Sequence, residues 1–173
     1  GWIFHFCLLV ELIWHLRYFT EPVLPFLPWL QWFINFTGYG MVIGLLGLWG
    51  RRFLVDRVRY ISSPSDHLML ALLMAIALSG LGMKYLVHTD IIALKAFFLG
   101  LMVFDWQPLP ADPVLLIHLT LVALLMIVFP ISKLLHAPGV FFSPTRNQVD
   151  NPREKRWTAG WSAEIDNTKP RAG

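Results

Sequence analysis

Four long apolar segments, with few charged residues inside them, dominate the pattern of the chain. They cover residues 1–19, 30–50, 67–87 and 114–132. A helix that crosses a bilayer core of about 30 Å needs about 20 apolar residues. Each segment is therefore predicted to be a membrane-spanning helix, and we name them spans A, B, C and D in chain order. The pattern predicts an all-α integral membrane protein.

A fifth apolar segment, residues 91–104, is too short to cross a membrane. As an α-helix it would extend only about 21 Å, at about 1.5 Å per residue. We expect this segment to lie flat at the membrane interface or to form a re-entrant turn.

The connections between the spans carry residues that break or cap helices. The loop 51–66 ends in two capping residues, and either Ser65 or Asp66 is predicted to cap the start of span C. Asp112 is predicted to cap span D, because Pro113 follows it in the first turn of the helix.

The composition agrees with a membrane protein. Hydrophobic residues make up 56% of the 173-residue chain and charged residues only 14%, whereas soluble domains carry about 25% charged residues. This excludes a soluble domain, and it excludes disorder over most of the chain. We interpret the net charge of +3 as a consequence of the membrane topology. We expect no nucleic acid as a partner. With the single cysteine Cys7, the chain holds no iron–sulfur cluster or c-type haem of its own.

Lysine and arginine are unevenly distributed between the two sides that the spans define. Cytoplasmic loops are enriched in these residues. We therefore expect 51–66 and 137–173 to be cytoplasmic, and 20–29 and 88–113 to face outside. Of the 14 basic residues, those on the cytoplasmic side are Arg51, Arg52, Arg57, Arg59, Lys133, Arg146, Arg153, Lys155, Arg156, Lys169 and Arg171, and those on the outer side are Arg17, Lys84 and Lys95.

The composition divides the chain into two parts. Residues 1–136 contain the spans and are predicted to form a helical bundle, whereas residues 137–173 are polar and lack a helical or strand period. We expect the second part to be an extended tail that docks against a cytoplasmic partner through Phe141 and Phe142, the alternative being a solvated terminus. Because Gly1 lies inside an apolar run, we also expect upstream sequence with at least one more span.

Four histidines lie in spans A and D, where ionisable side chains are costly and commonly functional. His5 and His15 are separated by about 15 Å along a helix, whereas His118 and His136 would be separated by about 27 Å if span D continues to His136. The predicted topology puts His5 and His136 near the cytoplasmic side. It puts His15 and His118 near the outer side. Helix tilt, a kink at Pro130 or a loosened helix end would reconcile the two spacings.

Two imidazoles that face each other across a bundle suit the iron of haem b, which takes axial ligands from opposite sides. A zinc site would need three or four ligands at one depth, which this pattern does not supply. The alternative is that the histidines only pack and form hydrogen bonds. His67 and His88, at the two ends of span C, are expected to contact water at the interface and are the fallback ligands.

In spacing and order, these histidines resemble those of the di-haem cytochrome b family typified by the gamma subunit of respiratory nitrate reductase. That family has five spans, with two haem-ligating histidines on the second and two on the last. The resemblance covers about residues 1–137 and implies that the chain is a four-span fragment of a five-helix bundle. The segments KLLHAPGVFFSPTRNQ and VDNPREKRW resemble one branch, the membrane cytochrome b subunit (DsrM) of the sulfite-reduction-associated complex.

The resemblance implies two haems b. His5 and His136 would ligate the haem on the cytoplasmic side, and His15 and His118 would ligate the haem on the outer side. It also implies that menaquinone or another quinone exchanges electrons near the outer haem. The chain would then be the electron-transfer subunit of an oxidoreductase complex in a bacterial or archaeal cytoplasmic membrane. The implied partners are a cytoplasmic iron–sulfur subunit of the heterodisulfide-reductase type and other membrane and periplasmic redox subunits.

Two charged residues of span A are candidates for quinone chemistry, which needs a proton acceptor. Glu11 lies one turn before His15 and is the first choice for that acceptor. The alternative is a carboxylate that pairs with Arg17 or accepts a hydrogen bond from a ligand imidazole. Arg17 is also a candidate partner for a haem propionate. Three further polar residues expected on the outer side are His88, Asp90 and Lys95.

Two other classes of protein stay open at this point. One is a related redox subunit, either the gamma subunit of nitrate reductase or a heterodisulfide reductase cytochrome b. The other is a non-redox membrane scaffold or transporter fragment whose histidines only pack. A reduced-minus-oxidised absorbance spectrum separates the redox class from the non-redox class.

Overall fold

The computed structural model describes residues 1–136. Residues Gly1–Leu134 form one compact unit, and Leu135–Gly173 form a second. The descriptions below concern the first unit, and the predicted docking of the tail through Phe141 and Phe142 lies outside the described residues. Within the first unit, six α-helices follow one another without strands, in agreement with the all-α expectation.

Helix α1 covers Trp2–His15 and continues as a 3-10 turn over Leu16–Tyr18. It packs along α2, Leu27–Leu54. Gly40 and Gly44 of α2 leave room for it. A Cβ added to Gly44 would lie 2.9 Å from the Cβ of Phe4 and 3.0 Å from its backbone nitrogen. Small residues of this kind let membrane helices approach each other closely, so the position of α1 is fixed against α2.

Helix α3, Asp56–Ile61, and helix α4, Pro64–Gly82, follow. The predicted loop 51–66 is thus partly helical. Its capping residue is Ser63, not Ser65 or Asp66 as predicted. Asp66 instead lies one turn inside the helix and accepts a hydrogen bond of 2.9 Å from the backbone N–H of Ser63. Such a reciprocal cap satisfies donors at the start of a helix.

The last two helices are α5, Ile91–Met102, and α6, Pro113–Val128. Helix α5 extends about 18 Å, too short to cross a bilayer. The predicted cap of α6 is confirmed, because the Asp112 carboxylate accepts a hydrogen bond of 2.9 Å from the N–H of Val114. Along the unit, α1 packs on α2, α2 on α4 and α4 on α6.

The expectation that span D continues as a regular helix to His136 is wrong. Helix α6 ends at Val128, and two 3-10 turns follow, over Phe129–Ile131 and Lys133–Leu135. Pro130 has no N–H to donate, and its ring crowds the preceding turn. The segment between His118 and His136 is therefore not one straight helix. Of the arrangements considered from the sequence, the structure has the loosened helix end.

Within residues 1–136, three segments are long and apolar enough to cross a membrane, judged by length and composition: Leu27–Leu54, Pro64–Val87 and Pro113–Ile131. They correspond to spans B, C and D, and the protein is a multi-pass membrane protein. The last of the three combines α6 with a 3-10 turn, and Pro64–Val87 combines α4 with a π-helical turn over Met83–Val87. Span A, with its shorter helix α1, stays a prediction.

Polar contacts define the two ends of the unit. At one end, Asp66 at the start of α4 meets Arg52 of α2 and Lys133, which follows α6. We call this the Asp66 end. At the opposite end, which we call the Asp112 end, Thr89 donates a hydrogen bond to Asp112. Here Lys95 of α5 also forms an ion pair with Glu21.

Candidate functional site

The histidines of α1 share one hydrogen-bonding pattern. The Nδ1 of His15 lies 2.6 Å from the backbone oxygen of Glu11, and the Nδ1 of His5 lies 3.0 Å from that of Gly1. A carbonyl oxygen only accepts, so each Nδ1 carries a hydrogen and donates it. In a neutral imidazole the lone pair is then on Nε2, the nitrogen that a metal takes.

His118 has a side-chain partner for its Nδ1. It is buried on α6, with 9% of its surface exposed, and its Nδ1 lies 2.9 Å from the Oγ of Ser79 on α4. The Ser79 hydroxyl also lies 3.0 Å from the backbone oxygen of Ile76, which only accepts. When the hydroxyl donates its single proton to Ile76, it accepts from the Nδ1–H of His118, and the lone pair of this imidazole is on Nε2.

His15 and His118 both lie in the half of the unit near the Asp112 end, within range of electrostatic interaction. The Nδ1 of each ring faces an oxygen atom, the arrangement that is common among metal-ligating histidines. The assignment of these two residues to a common haem stays a prediction. Among residues 1–136, no group of three or more His, Cys, Asp or Glu side chains could hold a metal ion.

The second predicted pair, His5 and His136, is not tested by the structure. His5 belongs to the first unit and its ring is exposed. His136 belongs to the second unit and is also exposed. The assignment of these two residues to a common haem stays a prediction.

Glu11 is turned towards α2. Its Oε1 accepts a hydrogen bond of 2.8 Å from the hydroxyl of Thr37, a buried residue of α2. The ion pair between Glu11 and Arg17, one of the alternatives considered, does not occur in the described part of the chain. The Arg17 guanidinium lies instead over the rings of Trp14, at 4.9 Å, and Tyr18, at 5.2 Å.

A pocket of about 220 Å³ opens at the Asp112 end. Its lining residues include Trp14, Arg17, Gln31, Ile91 and Lys95. The apolar fifth segment thus contributes Ile91 and Lys95 to the wall of this pocket. Arg17 and Lys95 supply the positive charge of the wall.

Three other polar residues expected on this side do not line the pocket. Asp90 caps α5 by accepting hydrogen bonds from the N–H groups of Ile92 and Ala93. His88 is exposed, with a left-handed backbone at φ 54° where the π-helical turn ends. Glu11 lies against Thr37. The cluster predicted from the sequence is therefore divided between a pocket, a helix cap and a helix–helix contact.

His67 has the opposite tautomer from that of His5 and His15. The indole N–H of Trp49 donates to its Nδ1 at 3.1 Å, and Phe53 contacts its ring at a centroid distance of 5.2 Å. Because an indole N–H only donates, the hydrogen of a neutral His67 is on Nε2. His67 in this arrangement has no lone pair on Nε2, so it does not serve as a fallback ligand.

Sequence reasoning missed Ser79 and Thr37, the two hydroxyl residues that contact His118 and Glu11. The sequence contained only a weak signal for these two contacts. Ser79 is a single polar residue within an otherwise apolar run from Leu68 to Met83. A hydroxyl in a membrane helix commonly bonds its own backbone, so its position alone did not distinguish a contact with another helix.

Comparisons with known proteins agree with this arrangement. The family model described as nitrate reductase gamma subunit matches residues 29–155, a range that includes His118 and His136 and begins after His5 and His15. The chain therefore belongs to the nitrate reductase gamma subunit family, as the histidine pattern indicated.

Two curated relatives are each described as an Hdr-like menaquinol oxidoreductase cytochrome b-like subunit. The protein of Archaeoglobus fulgidus is 39% identical over 176 residues, covering 93% of this chain and 53% of the relative. That of Archaeoglobus profundus is 40% identical over 177 residues, covering 92% and 52% respectively. The chain thus spans about half the length of these relatives. No solved structure matches the chain significantly.

Proposed function

We propose that the chain is a di-haem b subunit that carries electrons across a membrane between a quinone and a cytoplasmic iron–sulfur partner. One observation supports the proposal: His15 and His118 lie within range of electrostatic interaction, and each has its Nδ1 against an oxygen atom, which leaves Nε2 for a metal. Ionisable side chains inside a membrane are costly and commonly functional; His118 is buried on α6, and His15 lies at the end of α1 with its ring exposed. The pair is therefore best explained as a ligand set.

The ligands are assigned by depth in the membrane. His15 and His118 ligate the haem near the Asp112 end, and His5 and His136 ligate the haem near the Asp66 end. Haem b, when bound, accepts and donates single electrons, so two haems at two depths connect the faces of the membrane. The contribution of the chain is to orient the four imidazoles and to exclude water from the iron sites.

The sidedness follows from the positive charges. The contacts of Asp66 with Arg52 and Lys133 bring the segment 51–66 and the residues after α6 to one end. This is the end that the lysine and arginine distribution assigns to the cytoplasm. The C-terminal tail is then cytoplasmic, where it docks against the iron–sulfur partner.

The quinone site is proposed at the pocket of the Asp112 end. Oxidation of a quinol releases two electrons and two protons, so the site needs a proton acceptor as well as an electron acceptor. Arg17 and Lys95 line the pocket and donate hydrogen bonds to quinone oxygens or, for Arg17, to a haem propionate. Glu11 does not line the pocket but lies one turn before the lining residue Trp14 on α1. We assign it the role of proton acceptor, with Thr37 donating a hydrogen bond to one of its carboxylate oxygens.

The identity of the quinone and of the partners rests on the relatives. Their descriptions name a menaquinol oxidoreductase and a likeness to Hdr, which supports menaquinone as the exchanging quinone. It also supports an iron–sulfur subunit of the heterodisulfide-reductase type as the cytoplasmic partner, with other redox subunits in the complex. A role in sulfite or sulfur metabolism rests on the resemblance of the tail segment alone.

The experiment that tests the proposal is a reduced-minus-oxidised absorbance spectrum of the full-length protein in its membrane. We expect a b-type spectrum with two haems per chain. His118→Ala removes one haem, whereas the control His88→Ala, at an exposed histidine of the same end, retains both. A spectrum without haem would leave the non-redox class as the better explanation. Two haems in His118→Ala would refute the pairing.

A further inference from the structure

We propose that Ser79 is a positioning residue for the haem that His15 and His118 ligate. Its hydroxyl holds the His118 imidazole in the iron-binding tautomer and sets the midpoint potential of that haem. The inference rests on the proposed function, because it requires His118 to be an axial ligand. It goes beyond the proposed function because it assigns to Ser79 of α4 control of the tautomer and basicity of His118, which is on α6.

The Ser79 hydroxyl lies between two acceptor positions, the backbone oxygen of Ile76 at 3.0 Å and the Nδ1 of His118 at 2.9 Å. When Nε2 of His118 binds iron, the imidazole proton is on Nδ1 and is donated to the hydroxyl oxygen. The hydroxyl proton then goes to Ile76, so both hydrogen bonds are formed in this tautomer. The tautomer that binds iron through Nε2 is therefore the one that the hydroxyl stabilises.

Gly80, the residue after Ser79 on α4, leaves room for the His118 ring. A Cβ added to Gly80 would lie 3.6 Å from the Cε1 of His118, so the imidazole lies against the backbone of α4 at this glycine. His118 is thus held by a hydroxyl at one atom and by a helix surface along its edge, which fixes the plane of the ring.

The two axial ligands differ in the origin of their Nδ1 partners. His15 donates to the backbone oxygen of Glu11, one turn earlier on its own helix. His118 donates to a side chain of a different helix. A hydrogen bond from Nδ1–H makes the imidazole a stronger base and so favours the oxidised iron. Loss of the Ser79 hydroxyl should therefore raise the midpoint potential of one haem and leave the other unchanged.

Three variants of the full-length protein in membranes test this inference. Ser79→Ala removes the hydroxyl, and Ser79→Thr keeps it. Thr120→Ala is the matched control, because the Thr120 hydroxyl donates to the backbone oxygen of Leu116 on the helix that carries His118. The measurements are the haem content per chain and a redox titration followed at the b-type absorbance bands.

We expect two haems in Ser79→Ala, with one midpoint potential shifted to a more positive value. Ser79→Thr and Thr120→Ala should retain the parental potentials. If Ser79→Ala instead loses one haem, retention of both in Ser79→Thr supports the inference, and loss in both variants overturns it. Parental potentials in Ser79→Ala also overturn it. Two haems in His118→Ala would refute the ligand assignment itself, which distinguishes failure of the proposed function from failure of this inference.

Discussion

The two ends of the helical unit use their polar residues in different ways. At the Asp66 end, a single carboxylate with 6% of its surface exposed receives Lys133 at 2.9 Å, Arg52 at 3.5 Å and the N–H of Ser63 at 2.9 Å. These contacts join α2, the start of α4 and the segment after α6. At this end the charges are used to fasten helices to each other.

At the Asp112 end the polar residues form separate pairs. Thr89 contacts Asp112, Lys95 contacts Glu21, and Glu11 contacts Thr37. The charged groups of Arg17 and Lys95 also line a pocket. The comparison indicates that the same residue types fasten helices at one end and remain accessible to a small molecule at the other. This division supports a quinone at the Asp112 end and a protein partner at the Asp66 end.

The largest expected effect is a difference in thiol labelling between the two ends, which tests which end faces the cytoplasm. Arg57→Cys places a thiol on α3, at an exposed site of the Asp66 end. Asp105→Cys places one at an exposed site between α5 and α6. In intact cells, an impermeant thiol reagent should label the second variant and not the first, and the buried native Cys7 gives little background. Labelling of Arg57→Cys from outside would exchange the roles of the two ends.

The next largest expected effect is on the rate of haem reduction by quinol at the Asp112 end. Glu11→Gln keeps the size of the side chain and its contact with Thr37, but it removes the base. We expect normal haem content and reduction of the haems by a menaquinol analogue slowed by about 100-fold, the size of a general-base contribution. The control is Asp105→Asn, because this exposed carboxylate contacts only Gln107. Unchanged kinetics in Glu11→Gln would remove Glu11 from the mechanism.

A quinone analogue sharpens the same comparison. If the pocket of the Asp112 end is the quinone site, the analogue should perturb the absorbance of the haem that His118→Ala removes. Perturbation of the other haem alone would contradict the assignment of the site to this end.

A smaller effect is expected on stability at the Asp66 end. Asp66→Asn removes the negative charge that receives Arg52 and Lys133, and we expect a loss of about 2 kcal/mol in unfolding free energy, typical of hydrogen bonds to charged groups. Asp56→Asn is the control, because its ion pair with Arg59 is exposed at both residues and such pairs contribute about 0–1 kcal/mol. Thermal unfolding in detergent measures both. Equal losses would show that the buried carboxylate has no special role.

The smallest effect is a pH dependence at the Asp112 end. The hydrogen bond from Thr89 lowers the pKa of the Asp112 carboxyl from its ordinary value of 3.8. A depressed pKa stabilises the folded protein above pH 3.8, and this contribution is lost as the pH falls through the folded-state pKa. Thr89→Val should therefore lower the melting temperature slightly near neutral pH, and the difference from the parent should diminish in acid.

The control for this prediction is Thr20→Val, because the Thr20 hydroxyl donates to the backbone oxygen of Leu16 and contacts no carboxylate. Its melting temperature should differ from that of the parent by the same amount at every pH. A difference in Thr89→Val that does not vary with pH would exclude Asp112 as its cause.

The sequence alone determined the all-α membrane fold, the spans B, C and D and the cap at Asp112. These features depend on apolar runs and on local capping, which act within a few residues of the chain. The spacing of the four histidines also indicated the family. The spacing of His5 and His15 on one helix needs no knowledge of neighbouring helices, because the helical rise fixes it. The spacing of His118 and His136 differs from that of a regular helix, because α6 ends at Val128.

The tertiary structure decided which side chains meet. The sequence did not indicate that Ser79 contacts His118, that Thr37 contacts Glu11, or that Trp49 fixes the opposite tautomer of His67. Each contact joins residues of different helices, and the relative rotation and depth of two helices depend on packing. Here that packing is set by close approaches such as Phe4 on Gly44. The Nδ1 partners of His67 and His118 were therefore determined only when the helices came together, whereas those of His5 and His15 lie one turn earlier on the same helix.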